Sequence, residues 1–219
     1  MSGLANQERT FLQQVLNQRM LICLCTGFAS GLPLYILFQL IPAWLRLEDV
    51  SLTAIGFFNA IQLPYVLKFL WAPLLERYSL PFLGRRRGWM LVMQVSLIFA
   101  IAALGWWKPS TELQVIVLIS IFIAIASATQ DVVLDAYRRE ILETEGELAL
   151  GNNLHVQAYR ISSLIPGSLG LFLVGIIDWH TNFVVMAAFM LVGLGLTMVV
   201  REPKLVAPPP GTLRDAVRL

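Results

Sequence analysis

The chain has 219 residues, of which 57% are hydrophobic and 14% charged, with a net charge of +2 at pH 7. Soluble domains carry about 25% charged residues, so too few polar side chains are present to coat a water-facing surface. So small a charge, with no basic patch interleaved with aromatics, excludes nucleic acid as a partner.

Residues 1–20 have no hydrophobic core followed by a small-residue cleavage site, so no cleavable signal peptide is expected. Phe11, Leu12, Val15 and Leu16 form an apolar stripe beside Gln13, Gln14 and Asn17, the pattern of a short helix lying on the membrane surface. Six apolar runs follow, at 21–44, 53–75, 89–107, 113–137, 154–177 and 183–200. Each approaches the roughly 20 residues needed to span a bilayer as a helix and is about twice the length of an outer-membrane strand. An all-α membrane protein with a six-helix transmembrane bundle over 21–200 is the fold expected.

Cys23 and Cys25 lie in the first run, about 200° apart around a helix, and so cannot pair. Pro33, Pro64 and Pro166 fall inside the first, second and fifth runs, and small residues recur at Gly27 and Gly31, Ala124 and Ala128, and Ser163 and Gly167. Such spacings suit closely packed, bendable helices. His155 and His180 lie near run ends and are read as interfacial residues. From Arg201 the character changes: Pro208, Pro209 and Pro210 precede a stretch that begins at Thr212 and resembles the start of an amphipathic helix. Residues 201–219 are therefore expected to be a cytoplasmic linker to a second half.

Charge sets the topology. With residues 1–20 inside, cytoplasmic segments hold Arg9, Arg19, Arg77, Arg85, Arg86, Arg87, Arg138, Arg139, Arg201, Lys204, Arg214 and Arg218, against only Arg46 and Lys108 outside. That asymmetry is the positive-inside signal, and it requires an even number of spans with both termini cytoplasmic. Trp44, Trp71, Trp89, Trp106, Trp107 and Trp179 fall at or near run ends, as an interfacial aromatic belt does.

Lys68, Asp131 and Arg160 lie well inside runs two, four and five. A charge at the middle of a membrane helix costs about 2.5–3.5 kcal/mol on insertion scales. All three sit at a similar depth, on the order of 10 Å from the expected cytoplasmic ends, so mutual pairing is geometrically open. Ser127, Asp131, Asp135 and Arg138 share one stripe of a helix, within about 80° of one another. Gln39, Asn59, Gln62, Tyr65, Gln130 and Gln157 add further polar groups to the apolar runs. Two readings stand side by side. The charges line a solute or proton path, or they neutralise one another and lock the helices together. No metal-ligand spacing, nucleophile elbow or phosphate-binding loop appears, so neither an enzyme nor a cofactor is expected.

The loop after run two reads Ala72-Pro-Leu-Leu-Glu76-Arg77, then Gly84-Arg-Arg-Arg-Gly88-Trp89. It is similar to the cytoplasmic signature of the major facilitator superfamily, with Ala72 for the usual Gly and Glu76 for the usual Asp. Four longer runs resemble the AmpG family of muropeptide permeases: Thr26 to Pro33, Leu63 to Pro73, Leu83 to Trp89, and Ala128 to Arg138. Related acetyl-coenzyme A transporters share parts of the pattern. The resemblance implies the N-terminal half of a bacterial inner-membrane, proton-coupled importer of GlcNAc-anhydro-muramyl peptides. Lys68, Asp131, Asp135 and Arg160 would then belong to its cavity or gate, and Glu76, Arg77, Arg85, Arg86 and Arg87 to its cytoplasmic gate loop. Such transporters pack two six-helix halves around a midplane site, so a second half, in cis or in trans, is the implied partner. A carrier of acyl-coenzyme A or another anionic solute is one alternative. A non-transporting membrane scaffold or truncated product is another.

Overall fold

Helices follow the apolar runs in order. In the computed structural model, which describes residues 17–80 and 84–203 with the side chains of Phe57 and Asn59 set aside, α1 is Gln18–Leu47, α2 Leu52–Leu70, α3 Arg85–Leu104, α4 Pro109–Ile141, α5 Glu145–Ser162 and α6 Trp179–Val199. A short helix, Ala72–Arg77, continues α2. Among the described residues there is no strand. The surface helix expected within 1–20 lies outside the described residues except for its last four positions. The linker does so beyond 203.

Among the described residues five helices, all but α5, are long and apolar enough to cross a membrane. The expected span at 154–177 is helical but interrupted: α5 ends at Ser162, a π-helical turn covers Ile165–Gly170, and one α-turn follows at Leu171–Leu173. Pro166 supplies the reason, because it lacks an N–H and its ring crowds the carbonyl four residues back, that of Ser162. Glu145 and Glu147 in the first turn further dilute the apolar character of the unbroken part.

Prolines explain most of the other irregularities. A π-turn at Ile36–Leu40 precedes Pro42 in α1, and 3₁₀ turns at Asn59–Gln62 and Lys68–Leu70 precede Pro64 and Pro73. Each re-pitches the backbone where the proline ring would collide with the carbonyl one turn earlier. Pro33 is different: α1 runs through it as regular helix, and the Ala29 carbonyl, deprived of its donor, accepts from Gln130 Nε2 of α4 at 2.9 Å. Likewise Asn182 Nδ2 of α6 donates to the Gly170 carbonyl at the end of the π-turn, at 2.8 Å. In lipid, such freed carbonyls need partners from neighbouring helices.

The closest packing is between α1 and α5. A Cβ on Gly27 would run into the His155 carbonyl, and one on Gly31 into the Ser162 hydroxyl and the Tyr159 carbonyl. Small residues one turn apart thus let two backbones touch. Thr26 and His155 pair at this contact, 3.3 Å apart, and Tyr35 meets the Tyr159 ring edge-on at 5.5 Å. The two π-turns, in α1 and α5, also lie against each other. Helix α3 packs on α4 and α6, where Thr197 Oγ1 donates to Gln94 Oε1 at 2.8 Å. The main core, including Leu37, Trp44, Leu97, Ile123 and Phe183, fills the space between α1, α3, α4 and α6. By contrast α2 leans on α4 and leaves Leu63, Val66, Phe69 and Leu70 exposed.

Candidate functional site

Helices α1, α2 and α4 converge on one ionised pair. Lys68 Nζ donates to Asp131 Oδ2, and Ser30 Oγ donates to Asp131 Oδ1. Asp131 retains only 16% side-chain exposure and Lys68 32%. Matching depth therefore does bring Lys68 and Asp131 together. Asp135, one turn on, pairs with Arg138 at 3.1 Å along the same helix. Arg160 does not join them: it is exposed on α5 and makes no ion pair among the described residues. A cavity of about 480 Å³ adjoins the pair, lined by Lys68, Glu76, Arg86, Asp135, Arg138 and Glu140 among others.

The uncharged candidates divide. Gln130 is fully buried: its Nε2 donates to the Ala29 carbonyl, and its Oε1 has no hydrogen-bond partner among the described residues. Gln39 sits in the π-turn of α1, where its buried Oε1 has no hydrogen-bond partner among the described residues and lies against Gly167 of the π-turn that follows α5. Tyr65 Oη and Ser127 Oγ are also buried, with no hydrogen-bond partner among the described residues. Gln62 and Gln157 are exposed, and the Asn59 side chain lies outside the described residues.

The end of the bundle that carries the arginines is closed by an ion network. Arg85 and Arg86 each bridge Glu76 and Glu140, at distances from 2.7 to 3.0 Å. Glu202 receives the backbone N–H groups of Arg86 and Arg87 at 2.8 and 3.1 Å, which satisfies orphan donors at the start of α3. Gly84 makes this possible. It holds φ at +98°, and a Cβ there would meet the Glu202 carboxylate at under 3 Å. Arg87 donates to the Thr197 and Met198 carbonyls at the last turn of α6. Arg77 lies 5.5 Å from the Tyr78 ring centroid and joins no ion pair among the described residues.

Ser30, Glu140 and Glu202 were not among the residues expected from sequence. A signal for the two acids existed: three consecutive arginines at 85–87 face a single carboxylate, Glu76, within their own loop, and the surplus calls for acids from elsewhere. Ser30 offered none, since a serine in a membrane helix is ordinarily bonded to its own backbone.

An all-helical bundle that turns ionisable side chains inward and clips its helix ends with ion pairs is a multi-pass membrane protein. The Major Facilitator Superfamily profile matches residues 23–217, and the chain belongs to that superfamily. Its relatives there include AmpG-type permeases, as the four sequence runs implied. An uncharacterized protein of Haemophilus influenzae is 50% identical over 193 residues, 88% of this chain and 45% of that protein. The anhydromuropeptide permease of Escherichia coli is 41% identical over 200 residues, 91% of this chain and 40% of the permease. A Rickettsia typhi transporter named AmpG 3 is 34% identical over 190 residues, 83% of this chain and 44% of the transporter. The chain thus spans a little under half the length of these relatives.

Proposed function

We propose that the chain is the N-terminal half of a proton-coupled importer of GlcNAc-anhydro-muramyl peptides, acting in the bacterial inner membrane with both termini in the cytoplasm. The observation that carries the proposal is the Lys68–Asp131–Ser30 cluster beside a charged cavity, on a chain similar to an anhydromuropeptide permease. An ionisable group inside a membrane bundle is by default a solute or proton position. In this reading Asp131 is the proton carrier: protonation releases Lys68, and the freed ammonium meets a carboxylate of the solute. Asp135 and Arg138 continue the path toward the arginine-rich end. Glu76, Arg85 and Arg86 close it there together with Glu140, and Arg77 and Arg87 belong to the same cytoplasmic gate loop. Arg160, exposed on α5, faces the second half and joins the path only when that half is present. The residues that would have to part for a solute to pass are those joined by the ion network.

A second reading, that the charges only knit helices together, is favoured by the closure of Lys68 on Asp131. One experiment separates the two. Labelled anhydro-muropeptide uptake is measured in cells lacking their own permease that express this chain, alone and together with the complementary half of the Escherichia coli relative. Uptake that needs the proton gradient, and that Asp131→Asn abolishes while membrane insertion is unchanged, supports the transport reading. Uptake retained by Asp131→Asn with the same pH dependence assigns the pair to structure. Competition by acyl-coenzyme A instead of muropeptide would transfer the proposal to an anionic-solute carrier.

A further inference from the structure

A groove bounded by the short helix Ala72–Arg77 and the residues that flank it, by α3 and by α4 takes no part in the charged path. It encloses about 670 Å³ and is walled by Trp71, Leu74, Trp89, Met93, Phe122 and Ile125 among others. The polar side-chain atoms of its walls, on Trp71, Thr129, Trp89 and Ser96, are already committed within the protein. Trp71 Nε1 donates to Thr129 Oγ1 at 3.1 Å, and that hydroxyl donates in turn to the Ile125 carbonyl at 2.8 Å. Trp89 Nε1 donates to the Tyr78 carbonyl at 2.8 Å, and Ser96 Oγ to the Val92 carbonyl at 2.7 Å. A polar solute would find few free groups on these walls and would lose its hydration for nothing. A hydrocarbon chain needs none.

The rim of the groove has the opposite character. Trp71 and Trp89 set it at the depth where interfacial tryptophans sit, and exposed Tyr78 and Ser79 line it. Above the Tyr78 ring stands the Arg77 guanidinium, exposed and in no ion pair among the described residues. Its neighbours Arg85 and Arg86 are both held by Glu76 and Glu140. An apolar groove ending at an uncommitted cation matches a molecule with an apolar tail and an anionic head. We infer that this groove seats an acyl chain of an anionic phospholipid from the leaflet at the arginine-rich end, with the lipid phosphate held by Arg77.

The test uses the full chain in vesicles of equal phosphatidylglycerol and phosphatidylcholine, brominated on the acyl chains of one lipid at a time. Bromine quenches tryptophan at contact, and Trp71 and Trp89 wall the groove. Tryptophan emission should be quenched more by the brominated phosphatidylglycerol. The implied local enrichment is about fivefold, the size of one basic residue's attraction at an anionic surface. Arg77→Gln should equalise the two lipids, whereas Arg201→Gln, away from the groove, should keep the difference. Replacing Trp71 and Trp89 together by Phe should keep the groove and remove most of the lipid-selective signal. Unchanged helical circular dichroism shows that each variant is folded. Equal quenching by both lipids in the parent chain overturns the inference, as when protein rather than lipid fills the groove. A difference that survives Arg77→Gln overturns it too.

Discussion

Lys68 and Asp131 are each costly where they stand, and each relieves the other. Removing one leaves the other as an uncompensated charge. Because both keep some exposure, Lys68→Met or Asp131→Asn alone should cost about 1–3 kcal/mol, short of the 3–5 kcal/mol of a fully buried pair. The double variant should cost less than the two singles combined, and a double-mutant cycle on unfolding in mixed micelles measures the difference. Strict additivity would mean that the two groups do not interact in the folded chain. Gln130 invites a similar cycle with Pro33. Gln130→Leu strands the Ala29 carbonyl and should cost about 1 kcal/mol. Pro33→Ala, which restores a donor to that carbonyl, should recover most of the loss in the Gln130→Leu background. A rescue no larger than the effect of Pro33→Ala in the parent would show that the carbonyl does not need Gln130. At this scale the sequence revealed which residues were out of place in an apolar run, but not which of them meet. Lys68 and Asp131 were legible as a possible pair because their depths agree. Arg160 shares that depth, yet rotation about α5 turns it outward, and depth alone carries no information about rotation without the neighbours' positions.

Except at α5, which starts at Glu145 where 154 was expected, helix boundaries were legible to within about five residues because apolar runs and tryptophans mark them, and most of the excess falls at ends that project beyond the apolar stretch. Thus α4 extends to Pro109–Ile141 where 113–137 was expected. The π-turns were not legible as such. Prolines told where a helix must yield, but whether it yields by a 3₁₀ turn, a π-turn or a borrowed donor depends on what the next helix offers. The start of α5 is a feature with a pH signature. Thr144 caps it, accepting from the Glu147 N–H at 3.2 Å, while the Glu147 carboxylate accepts from the Glu143 N–H and from Arg19. The Glu143 N–H chiefly, then Arg19, hold the Glu147 carboxyl below the usual range against partial desolvation. A carboxyl whose pKa is depressed by folding adds stability above its unfolded pKa, near 4.3, and loses it as pH falls through the folded value. Glu147→Gln should therefore lower the thermal midpoint at about pH 6. The gap to the parent should close as pH falls from about 4.5 toward 3. A gap that stays constant over that range would assign the effect to lost hydrogen bonding rather than to charge.

At the scale of the whole molecule, the interrupted α5 matters most, because the parity of the crossings decides where every loop lies. Five helices satisfy length and apolarity by themselves, and five crossings would put the segments before α1 and after α6 on opposite sides. The charge count argues for six: twelve basic residues gather on one face only if the chain crosses between Glu145 and Asp178. The structure supplies a physical means, since α5 lies along α1, its π-turn lies against both α1 and α6, and Asn182 satisfies the Gly170 carbonyl at the end of that turn. Carbonyls with partners can pass through lipid. Cysteine accessibility decides the matter. Cys23 is buried and Cys25 half-buried, so both can be replaced by alanine to leave a silent background. Single cysteines at Ser110, Glu145, Asp178 and Glu202 are then labelled in intact cells with a membrane-impermeant maleimide. Six crossings with the basic face inside predict labelling at 110 and 178 from outside, and at 145 and 202 only after permeabilisation. Labelling of 145 and 178 from the same side would mean that α5 does not cross. The basic residues would then straddle the membrane, and the second half of any transporter would have to join from the opposite face.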